Sequence, residues 1–162
     1  MAEVVVADAG PLIALARIGA LLTLRAVFSR TLVTSTVFNE CVARPDRPDG
    51  ALIQSAVDSG RLELVPAPVP APDWGLDAGE ASAIQVARDL GAGLLMDDRA
   101  GRRVAVGLGI PVIGVLGVLI LAKRAGAIPQ IRPLVEGLIK SGYYLSGTVI
   151  DDALRLAGEA MA

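Results

Sequence analysis

The sequence predicts an α/β protein in which a parallel sheet of four or five strands lies between two layers of helices. Short apolar or β-branched runs alternate along the chain with longer segments whose apolar residues recur at helical spacing. The chain has 162 residues, of which 53% are apolar and 20% charged, so it can bury a sizeable core. We therefore expect residues 1–162 to form a single domain with a three-layer α/β/α architecture.

Five runs have the apolar, β-branched composition of buried strands. Such strands are continuous in apolar residues when helices cover both faces of a parallel sheet. The runs lie at 3–7, 31–33, 61–65, 94–96 and 111–113.

The segments between these runs carry helix signals. Pro11 suits the first turn of a helix, and apolar residues at helical spacing continue to residue 28 with an interruption at Gly19. Asp77 and Glu80 have the Asp-x-x-Glu spacing of a capping box, which predicts a helix ending near residue 90. A proline-rich stretch at 66–72 is interpreted as an extended connector. Further helices are predicted after the capping residues Thr34 and Ser35, at 51–59, 99–108, 115–125 and 131–140, and at 148–160 with Thr148 as the cap.

The uncharged run at 104–122 is long enough to cross a bilayer. Glycines and a proline interrupt it, so we interpret it as a helix end, a short strand and a second helix. The first charges of the chain, Glu3 and Asp8, have the wrong sign for a secretory signal peptide. We therefore expect a soluble, cytoplasmic protein with no membrane partner.

The composition excludes several kinds of chemistry. The chain has no histidine, which removes His-ligated zinc sites, Ser-His-Asp triads and imidazole acid–base catalysis. Its one cysteine, Cys41, removes disulfide frameworks, CxxC redox pairs and cysteine-ligated metal clusters. Any catalysis is therefore expected to depend on carboxylates.

The net charge of −2 hides an uneven distribution. Residues 99–135 carry no acid but six bases, and such a basic segment beside acidic clusters could hold a polyanion. An ordinary solvated surface is the alternative interpretation. The six bases are Arg99, Arg102, Arg103, Lys123, Arg124 and Arg132.

Carboxylates follow two of the predicted strands. Asp8 comes directly after the first strand, and Asp97 and Asp98 come directly after the fourth. The carboxyl ends of parallel strands meet at one edge of the sheet, so these groups converge if the two strands are neighbours. Converging carboxylates favour hard cations such as Mg²⁺ or Mn²⁺. Helix capping is the alternative role for Asp8, and it readily explains only one member of the 97–98 pair.

Two glutamates complete the candidate set. Glu40 lies in an apolar stretch that predicts a largely buried helix, so its carboxylate could face a cleft; a solvated helix face is the alternative. Glu80 is surrounded by small residues that would let another element approach closely, although the capping box alone also explains it. Gly79 costs helix stability at this point with no local compensation.

These acids occur in an order that resembles the PIN-domain family of metal-dependent ribonucleases. The closest resemblance is to short prokaryotic stand-alone members related to VapC-type toxins. The resemblance covers most of residues 4–128. The matching segments are VVVADAGPLIALA at 4–16, VFNECV at 37–42, LDAGEASAIQVA at 76–87, LLMDDRAGRRVA at 94–105 and GVLGVLILAKRAGAI at 114–128.

The resemblance implies an acidic site that binds one or two Mg²⁺ or Mn²⁺ ions and hydrolyses RNA phosphodiester bonds. The residues at the matching positions are Asp8, Glu40, Glu80 and Asp98, with Asp97 as an additional or alternative ligand. Two positions depart from the family pattern, because Gly10 replaces a common Ser or Thr and Glu80 replaces a commoner Asp. The plausible phosphate contacts are Arg99, Arg102 and Arg103, although ordinary surface charges would look the same.

The resemblance also implies partners: RNA, a second copy of the chain in a homodimer, and a small antitoxin. One alternative is a PIN-like nucleic-acid-binding or regulatory protein with weak or no catalysis, for which the Gly10 change would be a reason. A second alternative is a Mg²⁺-dependent phosphohydrolase for small phosphate esters. That enzyme would want a second Asp two residues after Asp8, and Gly10 occupies the position.

Overall fold

The computed structural model describes residues 3–43, 46–69 and 73–159. Five strands of these residues form one sheet in the order β3-β2-β1-β4-β5, and every neighbouring pair is parallel. This confirms the predicted parallel sheet. The strands are β1 (Val4–Ala7), β2 (Arg30–Thr34), β3 (Glu63–Val65), β4 (Gly93–Leu95) and β5 (Val112–Ile113).

Nine helices of the described residues connect and cover these strands. They are α1 (Ala9–Arg17), α2 (Thr23–Val27), α3 (Ser35–Val42), α4 (Pro48–Asp58), α5 (Ala78–Leu90), α6 (Arg99–Gly107), α7 (Val115–Arg124), α8 (Arg132–Lys140) and α9 (Gly147–Leu156).

The helices form two layers around the sheet. Helix α1 contacts α3, α4 and α7, while α2 and α9 also contact α7. Helix α5 lies across β1, β2 and β4 and contacts α6. The fold is therefore the three-layer α/β/α architecture that the sequence predicts, and the core lies on both sides of strands β1 and β4, in which every residue except Val4 is buried.

The strand order places the candidate acids at one edge. Strand β1 pairs with β2 on one side and with β4 on the other, so the chain changes direction across the sheet between β1 and β4. Ligands bind outside the carboxyl ends of the strands at such a point. The backbone N–H of Asp8 extends the ladder by donating to the carbonyl of Leu95 at 2.9 Å. Strands β1 and β4 are therefore neighbours, which is the condition under which the acids that follow them converge.

Several predicted boundaries differ from those of the structure. The first predicted helix is two helices, α1 and α2, because Gly19 adopts a positive φ of 68° between them. Helix α4 begins earlier than predicted, at Pro48, whose fixed φ suits a first helical turn. The last helix is capped by Ser146, which accepts from the N–H of Val149, and not by Thr148; it ends at Leu156. In the proline-rich connector, residues 70–72 lie outside the described residues.

The apolar run at 104–122 is divided as the sequence predicts. Helix α6 ends at Gly107, Gly109 turns the chain with a positive φ, and β5 precedes α7. Within the part of the chain that the structure describes, no helix has the length and apolar content needed to span a bilayer.

Candidate functional site

Asp8 occupies the N-cap position of α1 with 7% of its surface exposed. Within residues 3–43, which the structure describes, its side chain makes no capping hydrogen bond with that helix. The helix-cap interpretation therefore does not account for this buried carboxylate. Burial raises the pKa of Asp8 to about 7, the backbone N–H of Ala9 lowers it in part, and the negative charges of Asp77, Glu40 and Asp98 raise it further.

Helix α3 brings Glu40 toward α5. Its start is fixed by Thr34, whose hydroxyl accepts from the N–H of Val37 at 3.1 Å and shares a 2.7 Å hydrogen bond with the hydroxyl of Ser82 on α5. The buried residues of α3 are Val37 and Cys41, so the expectation of a largely buried helix is wrong. Glu40 is exposed on the whole, yet its carboxylate faces α5 as the prediction of a cleft requires.

Gly79 makes this approach possible. A Cβ atom built on Gly79 would overlap the carboxylate of Glu40. The glycine that looked costly in the sequence is therefore explained by a contact with a residue 39 positions earlier. Burial at this contact raises the pKa of Glu40, and the charge of Asp77 adds to the effect.

Glu80 forms the predicted capping box with Asp77. The Asp77 carboxylate accepts from the N–H of Glu80 at 2.8 Å, and Oε1 of Glu80 accepts from the N–H of Asp77 at 3.2 Å. Burial nevertheless raises the pKa of Glu80 to about 7; the Asp77 N–H lowers it in part, and the charges of Asp77, Asp98 and Asp8 raise it. Glu80 thus serves its helix and also lies among the site acids.

Helix capping explains only one member of the Asp97–Asp98 pair, as the sequence predicts. Asp98 is exposed and accepts from the N–H of Gly101 at 2.8 Å, which caps α6. Asp97 accepts from the N–H of Val115 at 3.1 Å, at the start of α7, and from the hydroxyl of Tyr143. Oδ2 of Asp97 is therefore already bonded within the chain.

The four matching acids influence one another electrostatically, but their side chains do not form a closed ligand set. In residues 3–43, 46–69 and 73–159, no group of three or more Asp, Glu, Cys or His side chains is arranged so that it could hold a metal ion. The chemistry of the donors fits a hard divalent cation, because carboxylate oxygens are the ligands that such ions prefer. Burial and neighbouring acids also raise the pKa values of Asp8, Glu40 and Glu80.

The three predicted phosphate contacts have different environments. Arg102 is half-buried and donates to the carbonyl of Met96 at 2.8 Å, so it supports the end of the β4 segment. Arg99 and Arg103 are exposed on α6, directly after Asp98. Of the three, these two guanidinium groups are the better placed to meet a polyanion.

Sequence reasoning missed two residues at this edge. Asp77 was assigned a capping role alone, yet its charge is the largest electrostatic contribution to the raised pKa values of Asp8 and Glu40. The Asp-x-x-Glu spacing located Asp77 but said nothing of its distance from other segments. Tyr143 lies 46 residues from its partner Asp97, and no local pattern indicates the contact.

The fold and site together define the class of protein: a parallel α/β domain with clustered carboxylates at the point where strand order reverses. The chain belongs to the PIN-domain family, because a family model described as a PIN domain matches residues 4–159. PIN domains are generally nucleases that typically use divalent metal ions, so the fold is of the nuclease type and its general substrate is nucleic acid. A comparison with curated proteins gives no match.

Proposed function

We propose that the protein is a Mg²⁺- or Mn²⁺-dependent endoribonuclease. The observation that carries the proposal is the Asp8 carboxylate, which is buried without a helix-capping role and lies beside the charges of Asp77, Glu40 and Asp98. Burying an acid among other acids is unfavourable unless a cation compensates them. A divalent cation at this edge would remove that penalty.

The residues proposed to hold the ion are Asp8, Glu40, Glu80 and Asp98. Asp8 is fixed by the end of β1, Glu40 reaches the edge over Gly79, and Asp98 is fixed by its cap on α6. Glu80 uses Oε1 in its capping box, which leaves Oε2 for another contact.

A bound divalent ion supplies Lewis-acid activation of water and neutralises charge on the scissile phosphate. The carboxylates orient what binds at the edge, and they repel RNA when no cation is present. Arg99 and Arg103 would hold phosphates on the approach along α6. RNA cleavage is therefore expected to depend steeply on the metal.

The test compares cleavage of a mixed RNA pool by the wild type and by Asp8→Asn, in Mg²⁺, Mn²⁺ and EDTA. We expect Asp8→Asn to lose at least about 100-fold in cleavage, since even residues that only orient metal ligands contribute 10–100-fold. The matched control is Asp89→Asn, which removes an exposed acid hydrogen-bonded to Gln85 on the distant end of α5.

Metal-dependent cleavage that survives in Asp89→Asn and vanishes in Asp8→Asn supports the proposal. Cleavage that survives Asp8→Asn contradicts the assigned site. Stabilisation of the wild type by Mn²⁺ in a thermal melt gives a second readout that needs no RNA.

A second candidate function is a PIN-like nucleic-acid-binding or regulatory protein with weak or no catalysis. It is favoured by the open arrangement of the carboxylates and by the capping roles of Glu80 and Asp98 in the described residues. Folded wild-type protein that binds RNA but cleaves none with either metal would support it. The VapC-like toxin role, the antitoxin and the homodimer remain predictions from the sequence resemblance.

A further inference from the structure

Asp97 connects three segments at the carboxyl edge of the sheet. It follows the β4 segment, its Oδ2 accepts from the N–H of Val115 at the start of α7, and the same oxygen accepts from the hydroxyl of Tyr143 after α8. Asp98, its neighbour in the chain, is one of the proposed metal ligands. A restraint on Asp97 therefore acts on the peptide that carries Asp98.

The packing around Asp97 leaves little freedom. A Cβ atom built on Gly114 would overlap the Asp97 carboxylate and lie 3.3 Å from a guanidinium nitrogen of Arg102. Arg102 in turn donates to the carbonyl of Met96, the residue before Asp97. The backbone on the N-terminal side of Asp98 is thus held by Arg102 and by the partners of Asp97.

The hydroxyl of Tyr143 remains a hydrogen-bond donor to Asp97 over a wide pH range. Burial raises the pKa of its hydroxyl, the charge of Asp97 and the hydrogen bond to it raise the pKa further, and Asp8 adds a smaller effect. The hydroxyl therefore keeps its proton throughout the physiological range.

We propose that Asp97 and Tyr143 are positioning residues that hold Asp98 in place, and that Asp97 is not itself a metal ligand. The expected effect of these residues on metal binding rests on the proposed function. The structural part of the inference does not, because the contacts of Asp97 and the cap that Asp98 forms with Gly101 lie within the chain itself.

The first experiment measures amide hydrogen exchange in EDTA for the wild type, Tyr143→Phe and Tyr144→Phe. Tyr144 is 88% exposed, so its substitution removes a neighbouring hydroxyl as a matched control. We expect Tyr143→Phe to lower protection of the Gly101 and Val115 amides about tenfold, through local opening. The Glu80 amide, capped by Asp77, serves as the internal reference and should not change.

The second experiment measures Mn²⁺ affinity by calorimetry for Asp97→Asn, Asp98→Asn and Tyr143→Phe. An amide oxygen still accepts from Val115 and Tyr143, so Asp97→Asn should weaken affinity by less than about tenfold, whereas Asp98→Asn should cost about 100-fold. Tyr143→Phe should weaken Mn²⁺ affinity about tenfold. It should add little in an Asp97→Ala background, because both changes remove the same contact.

Two results would overturn the inference. One is an Asp97→Asn variant as deficient in Mn²⁺ binding as Asp98→Asn, which would make Asp97 a ligand. The other is unchanged exchange of Gly101 in Tyr143→Phe, which would remove the positioning role. If the wild type binds no Mn²⁺, the proposed function fails and the exchange data alone decide whether Tyr143 holds Asp98.

Discussion

Two glutamates in different parts of the chain have opposite electrostatic environments. The side chain of Glu159 is 7% exposed, and its carboxylate accepts from Lys123 Nζ at 2.9 Å. It also accepts from the backbone N–H groups of Ile131 at 2.8 Å and Arg132 at 3.0 Å. Burial tends to raise the pKa of Glu159, but these donors outweigh burial and lower it. Glu80 lies among other acids, and its pKa is raised to about 7.

The difference separates an acid whose charge is compensated within the chain from acids that lie among like charges. Glu159 ties the segment after α9 to the start of α8 and to α7, and its charge is compensated within the chain. At the carboxyl edge of the sheet, burial raises the pKa values of Asp8 and Glu80, and the charges of Asp77 and Asp98 raise both further. A divalent cation is the electrostatic complement of the second arrangement and has no place in the first.

The largest expected effect is on the pH dependence of stability in EDTA. Because the folded pKa of Asp8 is raised, the folded state keeps a proton that the unfolded chain loses, so the free energy of unfolding falls as pH rises from about 4 to about 7. The loss for Asp8 alone is as much as about 4 kcal/mol. Urea denaturation at pH 5 and pH 8 measures it.

Asp8→Asn should flatten this pH profile and make the metal-free protein more stable at pH 8. Saturating Mn²⁺ should stabilise the wild type at pH 8 and leave Asp8→Asn unchanged. A wild-type profile that rises from pH 5 to pH 8 in EDTA would show that the acidic edge is compensated in solution.

The next effect contrasts the two glutamates directly. Glu159→Gln removes the charge that pairs with Lys123 and weakens two backbone contacts, and we expect it to cost about 2 kcal/mol of unfolding free energy. Glu80→Gln keeps the capping box, because glutamine also accepts from the N-cap N–H, while it removes a crowded charge. Glu80→Gln should therefore be neutral or stabilising at pH 8 and still abolish cleavage. If Glu159→Gln and Glu80→Gln lowered the free energy of unfolding equally, the two carboxylates would not differ in their contribution to stability.

A smaller effect is expected where Glu40 meets α5. Gly79→Ala should displace the Glu40 carboxylate and lower Mn²⁺ affinity about tenfold. The fold should tolerate it, because the displaced atoms end a flexible side chain. Gly107→Ala on α6 is the control, since its Cβ atom would have no neighbour within 4 Å in the described residues. Unchanged affinity in Gly79→Ala would exclude Glu40 as a ligand.

The smallest effect concerns the arginines beside the acidic edge. Arg99→Gln with Arg103→Gln should weaken RNA binding several-fold and lower the salt dependence of binding by about one unit of slope for each phosphate that is no longer neutralised. Arg102→Gln should instead lower thermal stability, because it removes the bond to the Met96 carbonyl. Titrations at several salt concentrations distinguish the two outcomes, and an unchanged slope in the double variant would place RNA elsewhere.

The sequence by itself determined the elements whose signals lie within a few residues. The β-branched run before Asp8, the Thr34 cap and the Asp77–Glu80 capping box each involve groups no more than four positions apart, and the structure confirms all three. The alternation of strands and helices then restricts the fold to a parallel sheet between helical layers. The order of the four acids carried the family resemblance, which the match to a PIN domain confirms.

Only the tertiary structure decided which of these groups meet. The pairing of β1 with β4 joins strands almost 90 residues apart, the fit of Glu40 over Gly79 depends on how α3 packs against α5, and the Tyr143–Asp97 bond closes a loop of 46 residues. Local propensity contains no information about such contacts. They form because burying the faces of the sheet and helices brings distant segments together. The same packing gives Asp97 hydrogen-bond donors within the chain and leaves Asp8 buried among other acids.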